Sequence, residues 1–263
     1  MGKGPHMDRH ALGNSALEVT RIGYGAFKIG RNVGAKYPDA YQLPGEDEAA
    51  TLLNEILDLG IALVDTAPAY GLSEQRVGQA LSGRRSEFTL STKVGETFQD
   101  GQSTWDFRPE AMEASLQRSL QRLQCDAVDL LLVHSDGRDL EIQSEHDVST
   151  TMQRFKDSGM TRAIGFSGKT QAGLMEAIQW ADAIMVEYHL QARELEPVIH
   201  AAGEQGVGVL VKKGLGSGHL DPEAALQFLL ETSPVSDAIS SVVIGSLSSS
   251  RMASNIDMAC SGS

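Results

Sequence analysis

Short apolar runs alternate with amphipathic segments of helical period from residue 21 to residue 258. Such runs are typical of strands in a parallel sheet, because both faces of these strands are buried. We predict strands at residues 21–24, 61–64, 88–93, 128–133, 163–166, 183–186, 207–211 and 241–244. Helices are predicted at residues 51–59, 74–81, 109–123, 148–157, 173–180, 195–204, 222–230 and 249–258. This alternation predicts an α/β architecture with a parallel sheet.

The number of strand–helix units favours a closed (β/α)8 TIM barrel, a fold that usually takes about 250 residues. An open doubly wound sheet is the alternative, but it should carry a Gly-x-Gly-x-x-Gly turn after its first strand. Gly23 and Gly25 fit that pattern, whereas Lys28 stands where the third glycine belongs. We therefore predict a single barrel domain over residues 8–263, which includes an N-terminal β-hairpin at residues 13–20.

Three local features complete this prediction. Residues 1–7 resemble the remnant of an expression tag, with the natural start near Met7, and we set them aside. Residues 28–45 contain three glycines and two prolines without an apolar period, which predicts a long loop of functional importance or disorder. Ser73 is expected to cap the helix at residues 74–81.

The chain is acidic, with a formal net charge of −13 and a pI of about 4.9. Nucleic acids and anionic membranes are therefore disfavoured as partners, because phosphate contacts need clustered basic residues. No apolar stretch approaches the ~20 residues of a membrane span. Cys125 and Cys260 form no Cys-x-x-Cys pair, which favours a reducing, cytoplasmic setting without a disulfide framework or zinc. We expect a small-molecule partner and a monomer or weak homo-oligomer.

Four titratable residues stand at the ends of three successive predicted strands. Asp65 follows residues 61–64, with Tyr70 on the loop after it; Lys93 ends the next strand, and His134 follows the third. In a barrel the carboxyl ends of the strands meet at one mouth. A capping carboxylate, a solvated lysine or a boundary histidine would each be ordinary alone, but together the four predict a catalytic site.

This set of residues suits the reduction of a carbonyl. Negative charge grows on the carbonyl oxygen when hydride reaches the carbon, so a proton donor and positive charge must be directed at that oxygen. Tyr70 is the expected acid, although the ordinary pKa of tyrosine, ~10, is high for proton exchange at neutral pH. The ammonium of Lys93 would lower that pKa, Asp65 would hold Lys93, and His134 would orient the substrate oxygen.

The set resembles the catalytic tetrad of the aldo-keto reductases. The resemblance lies in Val-Asp-Thr-Ala-Pro-Ala-Tyr-Gly at residues 64–71 with Glu74 and Gly78, in Ser-Thr-Lys-Val around Lys93, and in Asp-Leu-Leu-Leu-Val-His ending at His134. It extends over residues 12–255. It implies a (β/α)8 barrel, reversible carbonyl reduction, and a nicotinamide dinucleotide as cofactor.

By this resemblance the cofactor spans the barrel mouth, with its pyrophosphate near residues 212–218 and its adenosine phosphate near residues 244–251. A guanidinium such as Arg251 suits a phosphate dianion, so we favour NADP(H) over NAD(H), although Gly245 stands where some members carry a lysine. The expected cofactor contacts are Gly25, Ala26, Phe27, Asp65, Ser167, Lys212, Lys213, Leu215, Gly216, Ser217, Gly218, Gly245, Ser246, Ser248, Arg251 and Asn255.

The chain departs from the family where the nicotinamide should lie. Members usually carry Ser-Asn where this chain has Ser167-Gly168, many carry glutamine in place of Met185, and many carry a stacking aromatic in place of Lys212. The substrate pocket is expected to be open unless the loop at residues 28–45 folds over it. The loop that carries Phe98, Trp105 and Phe107 could also cover it.

Two functions remain open at this point. The first is an NADP-dependent reductase of aldehydes or ketones, including sugars, with Tyr70 as the acid. The second is an NADP-binding sensor or interaction protein with little turnover, which the altered nicotinamide contacts motivate. A metal-dependent barrel enzyme is disfavoured, because no group of carboxylates and histidines has the spacing of a ligand set.

Overall fold

The computed structural model of the protein describes residues 7–34 and 37–260. The strands in these ranges are, in chain order, β1 (Arg9–Ala11), β2 (Glu18–Thr20), β3 (Ile22–Gly25), β4 (Leu63–Asp65), β5 (Thr89–Val94), β6 (Glu96–Gln99), β7 (Gln102–Trp105), β8 (Val128–His134), β9 (Thr161–Ser167), β10 (Ala183–Glu187), β11 (Gly208–Lys212) and β12 (Ile239–Ile244). Strands β1 and β2 form one antiparallel pair, and β6 and β7 form another.

The other strands close a parallel barrel in the order β3, β4, β5, β8, β9, β10, β11 and β12, and β12 pairs back to β3. The prediction of a (β/α)8 TIM barrel with an N-terminal β-hairpin is confirmed, and each predicted barrel strand overlaps an observed one. The pair β6–β7 is an addition that the apolar pattern does not predict, because its side chains are polar or half-exposed.

Helices surround the barrel. They are α1 (Glu46–Asp58), α2 (Ser73–Leu81), α3 (Pro109–Leu123), α4 (Asp139–Glu145), α5 (Val148–Asp157), α6 (Gln171–Ala177), α7 (Glu196–Glu204), α8 (Pro222–Gln227) and α9 (Ser249–Cys260). Helix α1 begins five residues before the predicted position, where the backbone N–H of Gly45 donates to Oε2 of Glu48 at 2.8 Å. Helix α4 was not predicted, and α8 gives way to a wider helical turn at Phe228–Thr232.

The prediction that Ser73 caps α2 is wrong. Ser73 lies inside the helix, and its side chain makes no capping bond. Its buried hydroxyl donates to the carbonyl of Ala26 at 2.8 Å and lies 2.8 Å from Oγ1 of Thr66. The hydroxyl therefore joins α2 to the chain segments that follow β3 and β4, both of which border the barrel mouth.

The hydrophobic core has two layers. One lies between the barrel and its helices. The other fills the barrel, where Leu63, Leu132 and Leu210 pack with hairpin residues such as Leu12 and Val19. The backbone N–H of Asn14 donates to the carbonyl of Gly206 at 2.7 Å, just before β11 begins. The hairpin therefore closes the amino-terminal end of the barrel and leaves the carboxyl end of the strands as the open face.

Two further observations concern membrane spans and the amino terminus. Within residues 7–34 and 37–260, no helix has both the length and the apolar character needed to cross a bilayer. Met7 is 4% exposed and packs in the core, whereas the other residues of the predicted tag remnant, 1–6, lie outside the described residues.

Candidate active site

The structure brings the four predicted catalytic residues together at the carboxyl end of the barrel. Asp65 ends β4, Lys93 lies near the end of β5, and His134 ends β8. Tyr70 ends the short helical turn Pro68–Tyr70 after β4. A cavity of about 800 Å³ opens here, and the predicted site residues that line it are Gly25, Phe27, Asp65, Tyr70, His134, Lys212, Lys213, Ser217 and Gly245.

Asp65 and Lys93 form a buried ion pair. Nζ of Lys93 lies 2.7 Å from both carboxylate oxygens of Asp65 and 2.8 Å from the carbonyl of Thr66, and the side chains are 1% and 3% exposed. Ser91 donates a further hydrogen bond to Asp65 at 3.0 Å. Burial lowers the pKa of Lys93, but Asp65 and Tyr70 more than offset it and leave the pKa above its ordinary value. Lys93 therefore stays protonated at neutral pH.

Tyr70 lies against this ion pair. Nζ of Lys93 is 4.7 Å from the centroid of the Tyr70 ring, and the ring of Phe27 packs edge-on at 5.2 Å. Burial raises the pKa of Tyr70 above its ordinary value, and the ammonium of Lys93 acts in the opposite direction. The predicted effect of Lys93 is thus present in direction, but burial outweighs it, and the phenol keeps its proton at neutral pH.

His134 has a partner that the sequence did not reveal. Its Nδ1 lies 2.9 Å from Oε2 of Glu96, the first residue of β6. Burial lowers the pKa of His134, Glu96 opposes this, and the ammonium groups of Lys93 and Lys212 add to the lowering. A signal for this hairpin was available in Asp100-Gly101, a dipeptide typical of two-residue turns, whose φ angles are 52° and 79°.

The opposite side of the mouth carries the departures from the family pattern. Nζ of Lys212, at the end of β11, donates to Oγ of Ser167 at 2.9 Å and to the carbonyl of Gly168 at 3.1 Å. Burial, followed by the charges of neighbouring lysines, lowers the pKa of Lys212 to about 7. Met185 is buried and also borders the cavity. Lys212 thus hydrogen-bonds the Ser167-Gly168 pair at which this chain departs from the family pattern.

Close packing around position 168 leaves no room for a side chain larger than that of glycine. A Cβ at this position would lie 2.7 Å from Cδ2 of Leu174 and 3.0 Å from Oδ2 of Asp139. Asp139 is 1% exposed, and its Oδ2 accepts hydrogen bonds from the backbone N–H groups of Lys169 and Thr170 at 2.7 and 2.6 Å. This unpredicted carboxylate at the start of α4 fixes the loop after β9, so an asparagine cannot enter at position 168 without displacing Leu174.

The loop after β11 lies beside the cavity, and the described part of the loop at residues 28–45 reaches it. Lys213 pairs with Glu187, and Ser217 contributes to the cavity wall. The ring of Tyr37 lies 6.3 Å from that of Phe27. A Cβ on Gly245 would lie 3.5 Å from the Tyr37 hydroxyl, and one on Gly218 would lie 3.5 Å from Pro38. The described part of this loop therefore covers one edge of the mouth.

The predicted adenosine-phosphate residues lie outside the cavity, around the start of α9. Ser246 and Ser248 hydrogen-bond each other through a tight turn, with distances of 3.1 and 3.0 Å. Arg251 is exposed in the first turn of α9. Burial and the charge of Arg251 lower the pKa of Lys28. Lys28 is therefore a further cation near this helix start that the sequence-based selection omitted.

The remaining predicted cofactor contacts are less accessible. Asn255 is 7% exposed, with its amide nitrogen 4.0 Å from Sδ of Met252. Ala26 is fully buried and accepts the hydrogen bond of Ser73. Leu215 and Gly216 belong to the loop after β11 without contributing to the cavity wall.

The three aromatic residues suggested as a cover for the substrate have different environments. Phe107 is 2% exposed and packs against Gly95 as part of the core. Phe98 lies beneath the guanidinium of Arg31, 3.6 Å from ring centroid to Cζ, and Arg31 lines the cavity. Trp105 is 42% exposed. Phe98 thus supports Arg31 of the cavity wall, and Trp105 pairs through β7 with Glu96, another residue of that wall.

Comparison with known proteins gives a consistent result. The sequence model of the aldo/keto reductase family matches residues 21–226. The chain is 38% identical over 171 residues to L-galactose dehydrogenase from Arabidopsis thaliana, an alignment that covers 62% of this chain and 49% of the plant protein. The chain thus spans about half the length of that relative. It is 29% identical over 241 residues to D-threo-aldose 1-dehydrogenase from a Pseudomonas species, covering 80% of this chain and 70% of that protein.

Solved structures agree with the sequence comparisons. A Pseudomonas aeruginosa protein assigned to the aldo-keto reductases superposes with a TM-score of 0.88 at 39% identity, covering 98% of this chain and 96% of that one. An aldo-keto reductase from Bacillus halodurans in its holo form has a TM-score of 0.80 at 27% identity, covering 97% and 92%. The family match extends over most of the chain and the similarity in structure over nearly all of it, and on these grounds the chain belongs to the aldo-keto reductase family.

Proposed function

We propose that this protein is an oxidoreductase that interconverts an aldehyde or ketone with its alcohol, using NADPH as the hydride donor. One observation carries the proposal: Tyr70 borders an open cavity and lies against the buried Asp65–Lys93 pair. A pure binding protein has no chemical use for a charge-compensated ammonium placed behind a phenol.

Each residue of the tetrad has a distinct task in this reaction. A bound nicotinamide dinucleotide supplies the hydride, a chemistry that no side chain provides. Tyr70 donates its proton to the carbonyl oxygen as negative charge develops there. Lys93 stabilises the tyrosinate that results, and Asp65 fixes the position of Lys93.

Glu96 defines the role of His134. A carboxylate 2.9 Å from Nδ1 favours the tautomer that carries its proton on that nitrogen. The other ring nitrogen then accepts a hydrogen bond from a substrate hydroxyl. Burial keeps the pKa of His134 below its ordinary value despite Glu96, so the ring is neutral at neutral pH. Donation to a carbonyl oxygen then requires the tautomer that carries its proton on the other ring nitrogen.

The residues beside the cavity fit a phosphorylated dinucleotide. The start of α9 offers the positive end of a helix dipole, with Arg251 and Lys28 nearby. These groups would hold phosphate, and they favour NADP(H) over NAD(H). A shallow groove of about 440 Å³ next to Ser248 is lined by Glu48 and Glu55. A carboxylate there would favour a ribose hydroxyl, so NAD(H) is the comparison that the experiment must include.

The cavity suits a polar substrate. Glu96, Glu187 and Glu194 line it, and carboxylates are strong acceptors for hydroxyl groups. Two relatives bear the names of sugar dehydrogenases, L-galactose dehydrogenase and D-threo-aldose 1-dehydrogenase. We therefore propose small hydroxylated aldehydes, including aldoses, as the substrate class. The free thiols of Cys125 and Cys260 accord with a cytoplasmic location.

The test is the oxidation of NADPH, followed by its near-ultraviolet absorbance, with an aromatic aldehyde and an aldose as substrates. The natural chain should turn over, and Tyr70→Phe should lower kcat by roughly 10²–10⁴-fold with little change in cofactor affinity. The same assay with NADH measures the cofactor preference. Full activity of Tyr70→Phe would refute the assignment of the acid.

A second candidate is a cofactor-binding sensor with little turnover. The observation that favours it is Lys212, which stands where a stacking aromatic would otherwise hold the nicotinamide and donates instead to Ser167. This candidate predicts tight binding of NADPH without turnover of any carbonyl tested. Measurable turnover that depends on Tyr70 would exclude it.

A further inference from the structure

Two lysines face each other across the barrel mouth. Strands β5 and β11 are four positions apart in a closed barrel of eight strands, so Lys93 and Lys212 lie on opposite sides. Lys93 has both carboxylate oxygens of Asp65 at 2.7 Å. Lys212 donates to two neutral oxygens, those of Ser167 and Gly168. The charge of one lysine is neutralised, and that of the other is not.

The charged groups around Lys212 do not compensate it. Glu187, on the neighbouring strand β10, is paired with Lys213. Among the residues that the structure describes, no carboxylate pairs with Lys212 itself. Its other charged neighbours are Lys169 after β9, Lys93 across the mouth and the titratable ring of His134. An ammonium at Lys212 therefore adds uncompensated positive charge to the cavity.

The position of this charge matters for the ring of the cofactor, and this step rests on the proposed function. The substrate carbonyl must contact Tyr70 and His134, and the hydride-donating carbon must come within about 3–3.5 Å of the carbonyl carbon. Met185 and Lys212 line the cavity on the side of the barrel opposite β5. A nicotinamide ring bound in this cavity would therefore lie on the side that carries Lys212.

We propose that Lys212 makes the site discriminate between the two redox states of the cofactor. The nicotinamide ring is neutral in NADPH and carries a positive charge in NADP⁺, because the hydride leaves with two electrons. A nearby ammonium repels the oxidised ring alone. Lys212 therefore weakens the binding of NADP⁺ relative to NADPH, promotes release of NADP⁺ after reduction, and shifts the equilibrium of the bound species towards NADPH and carbonyl.

The discrimination depends on pH in a defined direction. The pKa of Lys212 is lowered to about 7, so the side chain is charged in acid and neutral in mild alkali. The ratio of the Kd for NADP⁺ to the Kd for NADPH should be largest in acid and fall as the pH rises. Contacts to the adenosine and phosphates are the same for both forms, so their own titration cancels in this ratio.

The experiment measures the Kd of NADP⁺ and of NADPH by calorimetry at about pH 6 and about pH 9. The proteins are the natural chain, Lys212→Met, Lys212→Arg and a control, Lys169→Met, which removes a nearby charge that hydrogen-bonds the carbonyl of Asp136. At the lower pH, Lys212→Met should lower the ratio by roughly tenfold and Lys212→Arg should preserve it. Lys169→Met should leave the ratio within about threefold. The natural chain should lose discrimination at the higher pH, whereas Lys212→Arg should keep it.

The outcomes separate the inference from the function on which it rests. If the natural chain binds neither form, the proposed cofactor is wrong and the inference falls with it. If it binds both and Lys212→Met leaves the ratio unchanged, the proposed function survives and the discrimination is refuted. If folded Lys212→Met, checked by circular dichroism, weakens both forms equally, Lys212 is a clamp without redox preference, which also refutes the inference.

Discussion

A lysine lies on each side of the barrel mouth, and the pKa values of the two lysines are shifted in opposite directions. On the side of β4, β5 and β8, Lys93 is completely buried, yet its pKa lies above the ordinary value because Asp65 is in contact. On the side of β9, β10 and β11, burial and then the charges of neighbouring lysines lower the pKa of Lys212 to about 7, and no carboxylate among the described residues pairs with it. The difference lies in the partner rather than in the depth of burial.

This difference assigns the two halves to different tasks. The Asp65–Lys93 side maintains a fixed protonation state, which suits the proposed role of the adjacent Tyr70 as an acid catalyst. Lys212 changes charge within the physiological pH range. This fits the proposal that it distinguishes the charged nicotinamide ring of NADP⁺ from the neutral ring of NADPH. The first half matches the family pattern, whereas the second half departs from it at Gly168, Met185 and Lys212.

The largest expected contrast is in stability. Lys93→Met leaves the carboxylate of Asp65 buried without a counter-charge, and breaking such a pair costs about 3–5 kcal/mol of unfolding free energy. Lys212→Met leaves no orphaned charge, so its unfolding free energy should stay within about 1 kcal/mol of the natural chain or rise. Urea unfolding at neutral pH measures both values.

A second variant shows whether the loss comes from the orphaned charge. Adding Asp65→Asn to Lys93→Met removes the unpaired carboxylate and should restore part of the stability. If Lys93→Met and Lys212→Met lose the same unfolding free energy, the contrast between the two lysines is wrong. The two would then contribute equally to stability despite their different partners.

The sequence predicts that two residues lie close together when both stand at the carboxyl ends of barrel strands. It does not predict contacts that are made through loops. Asp65, Lys93 and His134 all stand at strand ends, and a barrel brings such positions together wherever the loops run. Glu96 could not be placed in the same way, because it reaches His134 through a hairpin whose side chains lack an alternating apolar pattern. Similarly, Ser73 looks like a helix cap in sequence but makes its hydrogen bonds to Ala26 and Thr66, which are distant in the chain or on another loop.

The pKa values could not be predicted from the sequence for a related reason. The residue types predicted that Lys93 would lower the pKa of Tyr70, and that direction is present. The net result depends on burial, which only the packed structure reveals. The role of Lys212 likewise depends on contacts with Ser167 and Gly168, whereas the sequence showed only that a stacking aromatic was missing.

A smaller effect tests why the Lys212 side lacks the family's amide. Gly168→Ala would place Cβ 2.7 Å from Cδ2 of Leu174, so it should lower the unfolding free energy by about 1–3 kcal/mol. Gly83→Ala is the control, since nothing lies within 4 Å of its Cβ position, and it should change stability by less than about 1 kcal/mol. If Gly168→Ala proves as stable as Gly83→Ala, close packing does not exclude asparagine from this position.

The smallest expected effect is the pH dependence that Lys212 gives to stability. Its pKa is about 7 in the folded protein and near the ordinary 10.5 in the unfolded chain. Between these values the unfolded chain holds a proton that the folded protein lacks, so the unfolding free energy rises with pH. Below about pH 7 both states are protonated, and the penalty for burying the charge is fully present.

Lys212→Met removes this penalty at every pH. The variant should therefore exceed the natural chain in unfolding free energy at about pH 6.5, and the gap should narrow by on the order of 1 kcal/mol by about pH 9, after allowance for solvent screening. Urea unfolding of both proteins across this range measures the difference, in which the titration of all other groups cancels. A constant gap would mean that Lys212 titrates like an exposed lysine, and the contrast with Lys93 would then lie in hydrogen bonding alone.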